Sequence, residues 1–448
     1  MRADALASVG GWTETPHLDR LAREGVTFTQ CISTSPVCVP ARLSLATGLY
    51  AHNTGVWDNG NHTLSPETPT WMKAVRAAGY RTSLFGKTHL HPHQGDLRER
   101  ESLMHDYGWD DVDEIGGPRA SARVLSHMTA RWQELALWNA YQEDYGERFS
   151  NKPYVVRPST LPLEEYADVY VGRQAAAYLR DYQREEPWCC TISFGGPHEP
   201  WDTPEPYASR FHAAAMPKAN PFPQDQAKRP PGHLDHLHDK APDISPEEIA
   251  AMRADYAGNV ALIDDQIGEI LHVLEMREEL QNTFIIFTSD HGEMNGDAGL
   301  IYKTNLLQSA AGVPFIVRPP VDSHCPIRGH SLEAPVEWID AGATLCEAAG
   351  APLEHRQFAR SVGPILRGET EATREYAVSE VAGEAMIQNA DWKLAINRQG
   401  APYLLFDRRN DPHECRNLVN TSEVATVQQE LVNALLAFFM QTQKPWNA

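Results

Sequence analysis

Cysteine is scarce in this sequence, which has 7 cysteines in 448 residues. They are scattered along the chain, and no two form a Cys-X-X-Cys pair, which excludes zinc ribbons and thioredoxin-type redox sites. Most are expected to be small buried apolar side chains. Cys189 and Cys190 lie in an apolar segment that is typical of a core strand.

Basic residues are outnumbered, with 39 Lys and Arg against 60 Asp and Glu and a formal charge of −21. This balance argues against nucleic acid or an anionic membrane surface as a partner, although a small basic pocket for an anionic substrate is compatible with it. No apolar run is long enough to span a membrane, and the first residues lack a secretory signal pattern. The expected location is cytoplasmic as the sequence stands, and periplasmic or secreted if an upstream segment belongs to it.

Helical and extended patterns alternate along most of the chain, which predicts an α/β fold with a central, mostly parallel sheet flanked by helices. After about residue 365 the pattern changes to short strands and a closing helix. We therefore predict a catalytic α/β domain over 1–365 and a small α+β subdomain over 366–448. The stretches 95–160 and 203–245 interrupt the alternation and are interpreted as lids or substrate walls.

Polar residues follow several predicted strands directly. Lys87 and His89 come after the strand 81–85, His198 follows the strand around Cys189, and Asp290 and His291 end the apolar strand 283–289. Because ligand groups of α/β sheets collect at strand ends, we expect these side chains to meet.

A second motif supplies the nucleophile. The segment Cys38-Val-Pro-Ala-Arg42, with a Thr-Gly pair downstream, resembles the Cys-X-Pro-X-Arg signature of the sulfatase family in the alkaline phosphatase superfamily. Gly86-Lys87-Thr-His89, Pro197-His198-Glu-Pro200, Asp290-His291-Gly292 and Lys303 resemble further motifs of that family, in its order along the chain.

The resemblance implies an alkaline-phosphatase-like sandwich and hydrolysis of sulfate esters. In that family the signature cysteine is converted to formylglycine by a maturation enzyme, and its hydrated form attacks sulfur. It further implies that Arg42 supports this nucleophile, and that Lys87, His89 and Lys303 contact the sulfate. His198 would act as leaving-group acid or sulfate ligand, with His89 as the other candidate acid. Asp290 and His291 would bind a divalent metal, expected to be Ca²⁺, with Mg²⁺ or Mn²⁺ as alternatives.

One part of the family pattern is not matched. The family opens with an apolar strand that ends in metal-binding aspartates, whereas the match here starts at Arg2, so that strand would lie upstream of Met1. Three interpretations stay open: a misplaced start codon or trimmed chain, a shortened and metal-poor protein, and a pseudoenzyme. The first is favoured because the other motifs are intact.

Three functions are compatible with these motifs. The leading hypothesis is hydrolysis of a small-molecule or sugar sulfate ester. The alternatives are a phosphonate monoester or phosphodiester hydrolase of the same superfamily, and a metal-poor non-catalytic homologue. The leaving group and the oligomeric state are not indicated by the sequence. Candidate pocket residues, each equally compatible with packing or turns, are Trp57, Asp58, Asn59, His62 and Trp201.

Overall fold

The computed structural model describes residues 1–151 and 154–443. The strands are β1 Val26–Ile32, β2 Arg81–Gly86, β3 Asp111–Glu114, β4 Trp188–Ser193, β5 Gln224–Asp225, β6 Ile285–Thr288, β7 Phe315–Arg318, β8 Ser331–Glu337, β9 Ala377–Val381, β10 Glu384–Gln388, β11 Trp392–Ile396, β12 Pro402–Asp407 and β13 Arg416–Asn417. The α-helices are α1 Pro16–Glu24, α2 Cys38–Thr47, α3 Ala51–Thr54, α4 Trp71–Ala77, α5 Glu101–Tyr107, α6 Gly117–Ser121, α7 His127–Glu134, α8 Trp138–Asn151, α9 Ala167–Asp181, α10 His233–Asp239, α11 Pro246–Met276, α12 Gln308–Ala311, α13 Asp340–Ala348, α14 Gly363–Leu366 and α15 Ala425–Thr442.

The central strands form two sheets with helices on both sides. One sheet has the order β3-β2-β4 and is parallel throughout. The other has the order β6-β7-β1-β8, in which β7 runs antiparallel to both of its neighbours. The predicted α/β class with a parallel-rich sheet is confirmed.

A cavity of about 1110 Å³ separates these two sheets. The edge strands β4 and β6 both border it, and apolar side chains of helices line it as well, among them Leu179 of α9, Leu271 of α11 and Val75 of α4. The side chains of β4 and β6 are therefore half-buried. Cys189 and Cys190 do lie on a strand of the central region, as predicted, but that strand is at a sheet edge and these side chains are only partly covered.

Local sequence signals explain where the main helices begin and end. Helix α11 starts at a reciprocal capping box, in which Ser245 accepts from the Glu248 backbone N–H and the Glu248 carboxylate accepts from the Ser245 N–H. It ends at Met276. Helix α4 starts at Trp71, because Thr70 caps it by accepting from the Lys73 N–H.

Two interpretations of the long interruptions need correction. Within 95–160, β3 is a strand of the central sheet that pairs with β2, so this stretch is part of the core as well as a cover over it. Within 203–245, β5 pairs with β13 near the end of the chain.

No described helix is long and apolar enough to cross a membrane.

The carboxyl-terminal part contains the antiparallel sheet β12-β11-β10-β9. Helix α15 packs on β10 and β11 and buries Leu431 and Leu435 against them. The predicted short strands and closing helix are therefore present. The domain boundary at residue 365 stays a prediction.

Candidate active site

Cys38 is the first residue of α2 and is buried, with 1 % of its surface exposed. Its Sγ lies 3.0 Å from Nε2 of His291, which follows β6. The Val39 N–H donates to the Asn59 side chain, so this predicted pocket residue supports the start of the helix. A helix N-terminus favours a negative charge at the Cys38 position.

Cationic groups surround the thiol. Burial by itself would raise the pKa of Cys38, but Lys87, His291 and Lys303 together hold that pKa well below its usual range. Lys87 follows β2 and Lys303 lies in the loop after β6, and both ammonium groups are buried. The structure thus brings three further predicted site residues, Lys87, His291 and Lys303, together around the Cys38 sulfur.

Arg42 connects three strand ends. Its Nε donates to Asp290 at 2.8 Å, and its Nη1 donates to the Lys87 carbonyl at 2.7 Å and to Ser193 Oγ at 3.0 Å. Although burial opposes it, His291 and Arg42 hold the pKa of Asp290 far below its usual range. Arg42 is therefore neutralised by Asp290, and its main structural effect is to hold the ends of β2, β4 and β6 together.

His198 forms a buried cluster with Glu199 and Lys303. The imidazole Nδ1 lies 3.0 Å from a Glu199 carboxylate oxygen, and Nε2 lies 2.8 Å from the Lys303 ammonium. Lys303 is 3.7 Å from the same carboxylate, which also pairs with Arg119. Despite burial, Glu199 raises the pKa of both His198 and Lys303.

Glu199 and Arg119 were not identified from the sequence. Glu199 is the variable residue of the Pro-His-Glu-Pro motif, and its place beside His198 was the available signal. Arg119 lies in the region interpreted as a lid, and no sequence pattern connects it to the site. Trp201 is 2 % exposed and its ring stacks parallel to that of Tyr302, so it is a packing residue.

His89 differs from His198 in its electrostatics. Burial and the Lys87 ammonium hold the pKa of His89 well below its usual range, which favours the neutral imidazole. Its Nδ1 finds no hydrogen-bond partner among the described residues, and its backbone has a positive φ of 59°. Of the two histidines considered as the acid, His198 is the one with a raised pKa.

Asp290, His291 and Cys38 are the candidate metal ligands, and their ligand atoms lie within 4.8 Å of one another. His291 Nδ1 faces the Gly292 carbonyl at 2.8 Å, which leaves Nε2 to bind a cation. The Met1 amino group lies next to them and donates to Ser289 Oγ at 2.5 Å and to the His291 carbonyl at 2.9 Å. One carboxylate and one imidazole fit part of the shell of a divalent ion, whereas Ca²⁺ takes about six to eight oxygens.

Comparison with known proteins gives consistent results. A family model described as sulfatase matches residues 1–351. The sulfatase YidJ of Escherichia coli K12 is 26% identical over 97% of this chain and 84% of its own length. The choline-sulfatase of Rhizobium meliloti is 28% identical over 90% of this chain and 77% of its own length. The solved phosphonate monoester hydrolase of Silicibacter pomeroyi is 25% identical, with a TM-score of 0.77, over 99% of this chain and 94% of that one.

Proposed function

The chain belongs to the sulfatase family and is a sulfuric ester hydrolase, and on that premise we propose that its nucleophile is formylglycine made from Cys38. The observation that carries the proposal is the environment of Cys38. It is buried at the start of a helix and surrounded by Lys87, His291 and Lys303. Formylglycine, which requires a maturation enzyme, supplies a hydrated aldehyde with a hydroxyl group that attacks the ester.

The remaining steps use side chains of the chain itself. Lys87 and Lys303 bind the non-bridging oxygens of the ester and offset the charge that develops on them. His198 donates a proton from Nε2 to the leaving oxygen when the Lys303 ammonium, which lies 2.8 Å from that nitrogen, turns to the ester oxygens. Glu199 orients the imidazole through Nδ1 and raises its pKa. Arg42 donates to Asp290 and to the Lys87 carbonyl, and so holds both next to the nucleophile.

A divalent ion would be held by Asp290 and His291. It would polarise the ester oxygens as a Lewis acid next to the Cys38 position. The expected ion is Ca²⁺, with Mg²⁺ or Mn²⁺ as alternatives, and each would complete its shell around these two side chains with water or substrate oxygens. The identity of the metal stays a prediction.

The matured enzyme is expected to prefer 4-nitrophenyl sulfate or a sugar sulfate over a phosphonate monoester and a phosphodiester. All these esters carry a single negative charge, which suits two ammonium groups, and family membership favours sulfate among them. The comparison is made as kcat/KM at one pH. A phosphonate or diester that is favoured by more than about tenfold, or about 1.4 kcal/mol in barrier, would support the alternative function instead.

That alternative is phosphonate monoester or phosphodiester hydrolysis at the same site. The likeness to the solved phosphonate monoester hydrolase supports it. The other alternative, a metal-poor non-catalytic homologue, would show no turnover of any of the three ester classes by the matured protein. The same three-substrate comparison therefore separates all three functions.

Glu199→Gln is expected to move the alkaline limb of the kcat/KM profile to lower pH. The reason is that the Glu199 carboxylate raises the pKa of His198, so its neutralisation lowers that pKa and the acid loses its proton earlier. Glu67→Gln, an exposed glutamate far from this cluster in sequence, is the matched control. An unchanged pH profile in Glu199→Gln would contradict the assignment of His198 as the acid.

A further inference from the structure

A second cluster of metal-binding side chains lies just beyond His89 in the same loop. It consists of His91 and His93, which flank Pro92, and Glu114 at the carboxyl end of β3. Their ligand atoms all lie within 4.8 Å of one another. The side chains are 2 % to 3 % exposed, so the cluster is closed off from solvent.

The hydrogen bonds of the two histidines fix their tautomers. His91 Nδ1 faces the Pro92 carbonyl at 3.1 Å, and His93 Nδ1 faces the Gly116 carbonyl at 3.2 Å. A carbonyl oxygen only accepts, so each Nδ1 carries the hydrogen. The opposite nitrogens then point at the carboxylate: His91 Nε2 lies 2.8 Å from one Glu114 oxygen and His93 Nε2 lies 3.1 Å from the other.

This arrangement requires a positive charge between the histidines and Glu114. With hydrogen on Nδ1, a neutral imidazole has a lone pair on Nε2, which a carboxylate oxygen repels. A proton on each Nε2 or one divalent ion removes the conflict, and His93 Nε2 also lies 3.4 Å from the His89 backbone N–H. Two protons would place two imidazolium groups on one buried carboxylate, and although Glu114 raises the pKa of His91, burial opposes each charge.

We propose that His91, His93 and Glu114 bind a zinc ion. Two imidazoles and a carboxylate are a ligand set typical of Zn²⁺, and a fourth position is left for the Thr88 hydroxyl, which already contacts Glu114, or for water. A backbone carbonyl on the far nitrogen of each histidine is the usual second contact of a zinc-bound imidazole. The site is distinct from Asp290 and His291 and independent of formylglycine.

The zinc ion positions the loop that carries Lys87 and His89. It joins residues 88–93 to the end of β3, and the His93 ring lies against the His89 ring, with 4.4 Å between centroids. A loop held in this way keeps the Lys87 ammonium next to Cys38. The zinc is therefore structural, and none of its ligands contacts the Cys38 sulfur in the hydrogen bonds described.

The test is the metal content of the full-length protein, purified with zinc and desalted. Wild type should retain one zinc per chain by mass spectrometry of the metal. Glu114→Gln and His93→Gln should weaken binding by more than the roughly 10- to 100-fold that follows loss of an outer-shell partner. His127→Gln, a half-exposed histidine on α7, is the control and should keep its zinc. Asp290→Asn should keep this zinc too, which separates the site from the proposed catalytic metal.

Cobalt substitution gives a second readout that does not depend on a variant folding. Co²⁺ bound to His91, His93 and Glu114 shows visible d–d bands without a thiolate charge-transfer band, whereas Co²⁺ bound next to an unmodified Cys38 adds that band. Wild-type protein without stoichiometric zinc, or with a thiolate-type cobalt spectrum alone, would overturn the proposal. Zinc content in Glu114→Gln equal to wild type would also overturn it.

Discussion

Cys38→Ala is expected to abolish ester hydrolysis. This residue is the only described cysteine whose pKa is held well below its usual range, since the other cysteines with shifted pKa values are all raised by burial. Loss of the covalent nucleophile should lower kcat on the order of 10⁴- to 10⁶-fold, because no other group in the site replaces it. The measurement is turnover of 4-nitrophenyl sulfate by protein made together with a maturation enzyme.

Two observations accompany that measurement. Peptide mass spectrometry of the segment that contains Cys38 should show an aldehyde in wild type. Cys31→Ala, a substitution at a buried thiol in β1, should remain active, because burial raises the pKa of Cys31 and leaves it inert. Activity close to wild type in Cys38→Ala, with a matching melting temperature, would refute the proposed mechanism.

Sequence patterns could place most of the candidate site residues near one another because these residues stand at the ends of strands and helices. Lys87, His198 and Asp290 each follow a predicted strand, and strand ends of a parallel-rich sheet meet at one edge. Cys38 opens a helix whose first turn contains Pro40, a residue that suits helix starts. Such signals depend only on neighbours in sequence, so they can be recognised without a structure.

The groups that form ion pairs with the site residues and hold its loops cannot be recognised from the sequence in the same way. Arg119 reaches Glu199 from a region with no strong periodicity, and Glu114 stands on a strand of four residues that alternation does not reveal. The ion pair between Arg42 and Asp290 joins residues 248 positions apart. Pairings of this kind arise from tertiary packing, and no local pattern encodes them.

The cavity between β4 and β6 is another feature that local sequence patterns do not predict. The apolar segment 283–289 predicts a strand, and in the structure the side chains of that strand border a cavity and are half-buried.

Lys87→Met and Lys303→Met are each expected to lower kcat/KM by about 10²- to 10³-fold, or about 3–4 kcal/mol, because each removes a buried cation from the charge that develops in the transition state. Methionine keeps the length of the side chain, so packing is retained. Lys73→Met, on the surface side of α4, is the control and should leave kcat/KM unchanged.

The two variants should differ in pH dependence. The Lys303 ammonium opposes the effect of Glu199 and lowers the pKa of His198, so its removal should raise that pKa. The alkaline limb of the Lys303→Met profile is then expected at higher pH. This shift is opposite to that of Glu199→Gln, because one substitution removes a positive charge and the other a negative charge beside the same imidazole. Lys87 is not among the charges that set the pKa of His198 most strongly, so Lys87→Met should lower the rate with little change in the limb. Shifts in the same direction for Lys303→Met and Glu199→Gln would contradict the assignment of His198 as the group that titrates.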